Sequence, residues 1–559
     1  MPGRDRPARR PKAQGQWALG YREPLNPNEQ MKKDAGGLTV RQRIVDIYSK
    51  QGFESIDGQD LRGRMRWWGL YTQRAQGIPG GKTAVLEAHE LEDQFFMLRV
   101  RVDGGRLTTD QLRVIGRISE RYGRDVADVT DRQNIQLHWI RIEDVPAIWD
   151  ELDAVGLSTT EACGDTPRVI VGCPLAGVEA DEVLDASPYI RETSQKLLSE
   201  PELFANLPRK FKTSISGCAV SCTNHEINDV AFVGVVGPEG TPGFDLWVGG
   251  GLSTNPKTAV RLGAFVPPER VAEVWMGTVA FFRDYGYRRS RNHARLKFLV
   301  DDLGAAEVRR LLETEFLPGG PLADGPAPAA APRPTRDHLG LTPQSDGRVA
   351  VGAALRSGRT SGSQLQRVAD LAEAHGSSRV HTTAQQHMVV PDVPADRAEA
   401  LADALELEDL QVRPSAFRRG IMACTGLEFC KLAIVETKHR GQRLYAELEK
   451  RMPDFGEPVS INVNGCPNSC ARFQTADIGL KGMIVPGPGG EQVEGFQVHL
   501  GGSMDGEATT FGRKARGLKV TADEAADYIE RLLRTYQRER SDGQRFSTWV
   551  RDADEALLK

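Results

Sequence analysis

The chain has 559 residues, of which 40% are hydrophobic and 26% are charged, and its formal net charge is -4. This length favours several domains over one, and the composition is typical of a globular protein rather than a disordered one. The small net charge argues against a chain devoted to nucleic acid, and no apolar run approaches the length of a membrane span.

The N-terminal segment, 1–75, is predicted to be an extension that starts as a mobile basic tail. It begins MPGRDRPARRPKAQGQ, which is rich in Arg and Pro and lacks the apolar core of an export signal. Eight cysteines in a chain without an export signal indicate metal or redox chemistry rather than a disulfide framework. We therefore expect a protein of the reducing cytoplasm.

The next segments alternate between strand and helix patterns. FFMLRVRV (95–102) and NIQLHWIRI (134–142) have strand character, and the apolar spacing of 107–123 between them is helical. These patterns predict a first half-domain over 76–154, which is followed by a lobe over 155–316. A stretch dense in Pro, Gly and Ala, 317–346, predicts an extended linker.

The same organisation recurs after the linker. A helical pattern over 361–376 begins at a plausible Ser361 cap, which predicts a second half-domain over 347–409 and a final lobe over 410–559. Each half contains the pattern Gly-Cys, Ser-Cys, Asp and Gly at identical offsets: Gly217, Cys218, Ser221, Cys222, Asp229 and Gly234 in the first, and Gly465, Cys466, Ser469, Cys470, Asp477 and Gly482 in the second.

Further matches extend the repeat. Thr130-x-x-Gln133 answers Thr382-x-x-Gln385, and Gly249-Gly250 answers Gly501-Gly502. The duplication predicts an α+β fold with pseudo-twofold symmetry, in which a site between the halves would be sheltered from water.

The second half contains a cysteine pattern typical of a metal centre. Cys424 and Cys430 are followed by Cys466 and Cys470, and Pro467 comes directly after Cys466. Four thiolates commonly bind an iron-sulfur cluster, and a Pro after a ligand Cys recurs in ferredoxins. Zinc is the alternative, although zinc sites usually pair cysteines two to four residues apart; four buried structural cysteines are a third interpretation.

The segments CTGLEFC, NGCPNSCAR and TDRQNIQLHW resemble the sirohaem-containing family of assimilatory sulfite and nitrite reductases, in particular actinobacterial ferredoxin-dependent sulfite reductases. The resemblance extends from about Gly15 to Arg551. It implies ferredoxin-like half-domains, one sirohaem and one 4Fe-4S cluster, with Cys470 both binding the cluster and bridging it to the sirohaem iron.

The first half also carries Cys163, Cys173, Cys218 and Cys222. A second cluster has to be considered, but Cys163 and Cys173 are ten residues apart where the second half has six, and the family carries a single cluster. Buried free cysteines are common, so the role of Cys173, Cys218 and Cys222 stays open.

Basic residues of the first half are the expected substrate ligands. Most Lys and Arg side chains are solvated surface charges, but the resemblance implies that Arg99, Arg168, Lys210 and Lys212 hold the substrate oxyanion. Sirohaem carries many carboxylates that need polar partners when buried. Residues in matching motifs are candidates for that role: Arg132, Gln133, Gln136, His138, Arg295, Lys297, Asn464, Asn468 and Arg472.

Tyr71 and Cys163 are a candidate pair for a covalent bond. Some relatives join the matching residues by a thioether, although those relatives often read CGDC where this chain has Thr166 in the last place. A core aromatic role for Tyr71 beside Trp67 and Trp68 is the alternative.

Both lysines of the Lys210-x-Lys212 pair favour sulfite, because two positive charges suit a dianion better than monoanionic nitrite. The chain has no nucleotide-binding glycine motif, so the resemblance implies reduced ferredoxin as the electron donor, with Lys431, Lys438, Arg440 and Arg443 as possible contacts. We expect a monomeric sulfite reductase; nitrite reduction, and a non-catalytic electron relay, are the alternatives.

Overall fold

A computed structural model describes residues 25–218, 220–327, 335–504 and 509–559. The predicted basic tail falls mostly on 1–24, outside the described residues. The chain divides into two compact units: the first contains the described parts of 1–70, 159–251 and 257–330, and the second those of 71–158, 252–256 and 331–559. Among the described residues no helix has the length and apolar character needed to cross a membrane.

The strands in chain order are β1 Leu70–Arg74, β2 Glu92–Val100, β3 Arg106–Thr108, β4 Ala127–Val129, β5 Ile135–Ile140, β6 Pro167–Gly172, β7 Phe211–Ser216, β8 Val230–Val236, β9 Pro242–Val248, β10 Val260–Val266, β11 Ala323–Asp324, β12 Gly340–Pro343, β13 Val349–Ala353, β14 Arg359–Thr360, β15 Arg379–Thr382, β16 Met388–Val393, β17 Ile421–Ala423, β18 Ile461–Asn464, β19 Ile478–Pro486, β20 Gln492–Leu500 and β21 Arg513–Thr521.

The α-helices are α1 Pro27–Asp34, α2 Val40–Arg43, α3 Ser49–Gln51, α4 Gly58–Arg62, α5 Ala88–Leu91, α6 Thr109–Tyr122, α7 Val145–Asp153, α8 Ser187–Ser199, α9 Val271–Tyr285, α10 Leu296–Leu303, α11 Ala305–Leu311, α12 Gly362–Ala374, α13 Ala398–Leu407, α14 Ala416–Gly420, α15 Lys438–Arg451, α16 Ala525–Glu539 and α17 Phe546–Asp552.

The first unit is built on one sheet with the order β11-β10-β9-β8-β7-β6. The strands β6, β7 and β8 run parallel, whereas β8, β9 and β10 are antiparallel. Its core packs helices α8 and α9 against the sheet around residues such as Phe232, Phe244 and Trp275, all fully buried. The parallel strands leave their carboxyl ends, and the loops that follow, at one edge.

The second unit repeats that plan in the sheet β17-β18-β19-β20-β21. Here β17, β18 and β19 are parallel, and β19, β20 and β21 are antiparallel. The register repeats as well, since Gly172 pairs with Ile215 in the first unit and Ala423 pairs with Val463 in the second. The duplication predicted from the sequence is therefore present in the strand pairing.

Two further five-stranded sheets of the second unit form the half-domains, β1-β2-β5-β4-β14 and β12-β13-β16-β15-β3. Each sheet takes its last strand from the other half-domain, because β14 pairs with β4 and β3 pairs with β15. Helix α6 begins at a Thr108 capping box, and α12 begins at the predicted Ser361 cap. The mixed helices and strands confirm the predicted α+β class.

One repeat assignment is wrong by one residue. The Thr130 side chain accepts from the Asn134 backbone N–H and Gln133 has φ of 61°, whereas it is Thr383 that accepts from His387 N–H and Gln386 that has φ of 65°. The loop matching Thr130–Gln133 is thus Thr383–Gln386, and Thr382 is the last residue of β15. Both registers satisfy Thr-x-x-Gln, so only the backbone conformation separates them. Two short strands, β11 and β12, lie inside the predicted linker 317–346.

Candidate metal and cofactor site

The four cysteines of the second unit follow two neighbouring parallel strands. Cys424 comes directly after β17, and its backbone N–H donates to Val463 of β18 at 3.1 Å. Cys466 comes two residues after β18. Because the carboxyl ends of parallel strands meet at one sheet edge, both pairs of cysteines lie on the same edge. The segment between Cys424 and Cys430 turns at Gly426, whose φ is +70° and where a Cβ atom would lie 2.4 Å from the Thr437 hydroxyl.

The thiols are close enough to influence one another electrostatically. Burial, then the charge of Cys470, raises the pKa of Cys424 to about 12, and the same two causes raise the pKa values of Cys430 and Cys466. The Gly465 backbone N–H donates to the Cys424 sulfur at 3.2 Å. Thiolates at this edge are therefore unfavourable without a metal to compensate their charge.

The loop carrying Cys470 is held by its own backbone conformation. Ser469 and Arg472 both have left-handed φ, 58° and 56°, and the Asn464 side-chain oxygen accepts from the Ala471 N–H at 2.8 Å. Cys470 is the exposed member of the four cysteines. An exposed thiol beside three less exposed ones is available to a second group.

The predicted sirohaem contacts of the second unit differ in whether their polar atoms have hydrogen-bond partners. Asn464 Nδ2 and Arg472 Nε are buried without a hydrogen-bond partner among the described residues. Gln136 donates to Thr425 at 3.4 Å and accepts from Arg99 at 2.9 Å. Asn468 is exposed in the same loop as Cys470.

Other predicted contacts of this unit have internal roles. His138 is fully buried, its Nε2 lies 2.9 Å from Asp128 and its ring stacks on Phe429 at 3.8 Å. Gln133 donates to the Thr382 carbonyl at 2.8 Å, and Arg132 adjoins it in the same turn. The His138 ring thus braces the segment between Cys424 and Cys430.

In the first unit, Lys212 and two predicted sirohaem contacts surround Asp229. The Lys212 backbone N–H donates to the Asp229 carboxylate at 2.8 Å, and Arg295 pairs with that carboxylate at 2.6 Å. Burial, then the charge of Arg295, lowers the pKa of Lys297 to about 7, and Lys212 contributes to the same shift. One carboxylate beside several cations leaves this region of the unit positively charged.

The remaining basic candidates lie on or directly before different strands. Lys210 directly precedes β7 and is half-buried. Arg168, on β6, donates to the Gly164 carbonyl at 2.9 Å, while its buried Nε has no hydrogen-bond partner among the described residues. Arg99, on β2, has its guanidinium 5.8 Å from the centre of the Tyr71 ring. Cys163 is 5% exposed and its charge acts on buried Arg66.

Comparison with family models matches this chain to two domains. The nitrite and sulphite reductase 4Fe-4S domain matches residues 163–317 and 415–557, and the nitrite/sulfite reductase ferredoxin-like half domain matches 89–155 and 342–407. The chain belongs to the nitrite and sulphite reductase family. The duplicated ferredoxin-like half-domains expected from the sequence are thereby confirmed.

Relatives within the family extend along nearly the whole chain. A protein of Mycolicibacterium paratuberculosis named sulfite reductase [ferredoxin] 2 is 54% identical over 98% of both chains, and sulfite reductase [ferredoxin] of Mycobacterium tuberculosis has the same identity and coverage. An assimilatory ferredoxin-dependent nitrite reductase of Haloferax mediterranei is 35% identical over 93% of this chain and 91% of its own. The solved structure of the Mycobacterium tuberculosis NirA protein matches with a TM-score of 0.94 and 53% identity, covering 98% of this chain and 100% of that one.

The residues fit the cofactors of the family. Burial and the charge of Cys470 raise the pKa values of Cys424, Cys430 and Cys466, which suits a cluster, because a cluster binds thiolates and compensates their charge. In the second unit, buried Arg472 Nε and Asn464 Nδ2 lack protein partners among the described residues. Carboxylates of a sirohaem would supply acceptors for these two groups.

Sequence reasoning missed several residues of the second unit that support the cluster loop. Arg74 is buried, its backbone N–H donates to the Phe429 carbonyl at 2.9 Å, and the Cys430 charge acts on its guanidinium. Arg359 pairs with Asp128 at 2.8 Å and with Glu428 at 2.7 Å. No motif marks these positions, because their partners lie far away in the sequence.

The possible ferredoxin contacts differ in accessibility. The prediction that Lys438 contacts ferredoxin is wrong, because Lys438 is buried. It donates to the Ser357 carbonyl and lies 3.6 Å from Asp128. Lys431 pairs with Glu92 at 2.8 Å, and Arg440 pairs with Asp523 at 2.9 Å. Arg443 keeps a side chain that is 70% exposed.

Proposed function

We propose that this chain catalyses the six-electron reduction of sulfite to sulfide, with electrons from reduced ferredoxin and with sirohaem and one 4Fe-4S cluster as cofactors. The observation that carries the proposal is the convergence of four thiols at one sheet edge inside the matched 4Fe-4S domain. Relatives at 54% identity over nearly the whole chain are named sulfite reductase [ferredoxin], whereas the nitrite reductase is 35% identical.

Cys424, Cys430, Cys466 and Cys470 would hold the cluster, and exposed Cys470 would be the ligand shared with the sirohaem. When bound, the two cofactors would supply the electrons of the reduction one at a time. The Gly465 N–H aimed at the Cys424 sulfur would tune the cluster potential, because hydrogen bonds to ligand sulfurs shift it.

Arg99, Arg168, Lys210 and Lys212 would bind the sulfite oxyanion. Guanidinium and ammonium groups form strong charge-assisted hydrogen bonds to oxyanions and can relay protons through water. Asp229 holds the Lys212 backbone at 2.8 Å and so fixes where its side chain begins. Removing three oxygens as water consumes protons, so this basic set would serve binding and proton supply together.

The sirohaem carboxylates would be held by polar residues in the segments that match the family. The principal candidates are Arg295, Lys297, Asn464, Asn468 and Arg472, and the supporting ones are Arg132, Gln133, Gln136 and His138. A Tyr71–Cys163 thioether stays a prediction, which peptide mapping by mass spectrometry would test as a loss of two hydrogens from the joined peptides.

The substrate assignment is tested with Lys212→Asn, assayed for sulfite and for nitrite with reduced ferredoxin. We expect kcat/KM for sulfite to fall about tenfold more than kcat/KM for nitrite, a difference of about 1.4 kcal/mol. Lys196→Asn, an exposed lysine of α8, is the matched control and should change neither value.

Two outcomes would contradict this assignment. Equal losses for both anions would mean that Lys212 serves the fold or proton delivery without discriminating between substrates. Wild-type enzyme that prefers nitrite by a wide kcat/KM margin would make nitrite the substrate. The sirohaem itself is checked separately by visible absorption, since a protein with a cluster alone lacks the bands of the macrocycle.

A further inference from the structure

The first unit contains a thiol cluster at the place that corresponds to the 4Fe-4S ligands. Cys173 comes directly after β6 as Cys424 comes directly after β17, and both strands pair in the same parallel register with the next strand. Helix α8 starts 14 residues after Cys173, at Ser187, and α15 starts 14 residues after Cys424, at Lys438. Cys173, rather than Cys163, is therefore the counterpart of Cys424.

The equal spacing also identifies the fourth position. Six residues after Cys424 stands Cys430, and six residues after Cys173 stands Glu179. The loops close identically as well, because Val183 N–H donates to Gly217 at 2.8 Å and Ile434 N–H donates to Gly465 at 2.7 Å. The first unit thus offers three thiols and one carboxylate where the second unit offers four thiols.

Cys222 contacts each of the other two thiols. The Cys222 thiol is hydrogen-bonded to both Cys173 and Cys218, and the sulfurs of Cys173 and Cys222 lie within 4.8 Å of each other. Cys218 also accepts from the Val220 N–H and lies 3.5 Å from the Ser216 hydroxyl. All three thiols are buried, with exposures of 4%, 8% and 4% for Cys173, Cys218 and Cys222.

The surroundings of the thiols are acidic. The charge of Glu179 acts on Cys218. Burial raises the pKa of Glu182 to about 7, and the charges of Asp185, Cys218 and Glu179 add to this shift, whereas the hydrogen bond from the Gly177 N–H opposes it. A cation bound here would relieve the repulsion among these groups.

We infer that Cys173, Cys218 and Cys222, with Glu179 as a carboxylate ligand, form a second metal site that binds one thiophilic divalent cation of the zinc class. Zinc accepts three Cys sulfurs and one carboxylate oxygen in a tetrahedral set, and the Cys218-x3-Cys222 spacing is typical of zinc pairs. A second 4Fe-4S cluster is disfavoured because the fourth position holds an oxygen ligand. Binding releases a proton from each thiol that is still protonated.

The test is the metal content of the full-length holoenzyme, equilibrated with Zn²⁺ and then freed of loosely bound ions. Elemental analysis should give about one zinc per wild-type chain and less than about 0.2 in Cys222→Ser, with iron and sirohaem unchanged in both. Cys163→Ser, at the first-unit cysteine outside the set, should keep its zinc. Zinc-edge X-ray absorption should show about three sulfurs at about 2.3 Å and at least one lighter ligand.

A second measurement needs no variant, in case Cys222→Ser does not fold. A mercurial thiol reagent added to the wild-type protein should release the zinc stoichiometrically. The inference is overturned if wild-type protein retains no zinc, if Cys222→Ser keeps it, or if the substitution removes iron instead. It is equally overturned if thiol titration and peptide mapping show that two of the three cysteines form a disulfide.

Discussion

The two parallel-strand sheets have one topology and different chemistry at their edges. The β17–β19 edge presents four thiols, whereas the β6–β8 edge presents three thiols and Glu179. At the start of the middle strand the first unit carries the charged side chain. Lys212, the second residue of β7, corresponds to Ser460, which directly precedes β18, and each lies 17 residues before the matched Asp229 or Asp477.

This contrast shows that the two copies of a duplicated fold can keep the same backbone while their side chains differ. The backbone features that turn the loops are kept in both copies. The N–H of the glycine that follows β9 or β20 donates to the carbonyl of the matched Asp, at 2.8 Å for Gly249 and 2.9 Å for Gly501. The side chains at the two edges differ, because one copy carries four thiols where the other carries three thiols and Glu179. The scaffold is shared because strand pairing depends on backbone, and the functions differ because they depend on a few side chains.

The largest expected effect is a difference in bound iron between substitutions at the two sheet edges. Cys466→Ser removes a cluster ligand and should lower bound iron to the level of apoprotein and abolish sulfite turnover, since thiolates hold the cluster. Its counterpart Cys218→Ser, at the identical repeat position, should leave cluster iron at the wild-type level. Iron and acid-labile sulfide are measured on both purified variants. Comparable iron loss in both would show that the first edge also supports the cluster.

The matched aspartates should differ in their contribution to stability. Asp229→Asn leaves the Arg295 guanidinium, whose side chain is 10% exposed, without its charged partner, and breaking such a buried pair costs about 3 kcal/mol. Asp477→Asn weakens the bonds that the carboxylate accepts from the Ser460 N–H and hydroxyl, which should cost about 1 kcal/mol. Thermal unfolding of the two variants should therefore show the larger decrease for Asp229→Asn, and the reverse order would contradict the role of the Arg295 pair.

The sequence predicts the parts of this site that are local or periodic. Strands 95–102 and 134–142, the Ser361 cap and the four-cysteine pattern all depend on spacing within short windows, and the first three are present as β2, β5 and the start of α12. Residues such as Arg74 and Arg359 could not be predicted in the same way, because tertiary contacts alone give them their partners.

The sequence predicts the register of the repeat only in part. Two overlapping Thr-x-x-Gln patterns, at Thr382 and Thr383, both match Thr130-x-x-Gln133. Likewise Cys163 and Cys173 both precede the matched pair, so the sequence alone does not identify the counterpart of Cys424. Backbone conformation resolves the first case, through the positive φ of Gln133 and Gln386, and strand pairing resolves the second, since Gly172 with Ile215 and Ala423 with Val463 fix the offset of the segments before Cys173 and Cys424. Similarity of letters cannot do so where the loops between matched blocks differ in length.

An effect smaller than that of Asp229→Asn is expected at Asp165, eight residues before Cys173, where the second copy has Ala416 at the same distance before Cys424. Asp165 is buried and accepts from Arg291 at 2.6 and 2.9 Å, with Lys32 at 3.5 Å. Burial is the largest single influence on this carboxyl, and it opposes ionisation. The charges of Lys32 and Arg291 together outweigh burial and hold the pKa of Asp165 well below its usual 3.8.

Because the folded-state pKa of Asp165 lies below the unfolded value, its ionised form stabilises the fold above about pH 4, and this contribution is lost as the pH falls further. Asp165→Asn should therefore lower the unfolding midpoint at pH 7 by an amount worth about 2 kcal/mol, and the difference from wild type should shrink between pH 5 and pH 3. Ala416→Ser, the control at the corresponding place in the second copy, should show no such pH dependence. A wild-type advantage that stays constant down to pH 3 would mean that Asp165 stabilises the first unit through packing and neutral hydrogen bonds, and that the acid response of the two copies is the same.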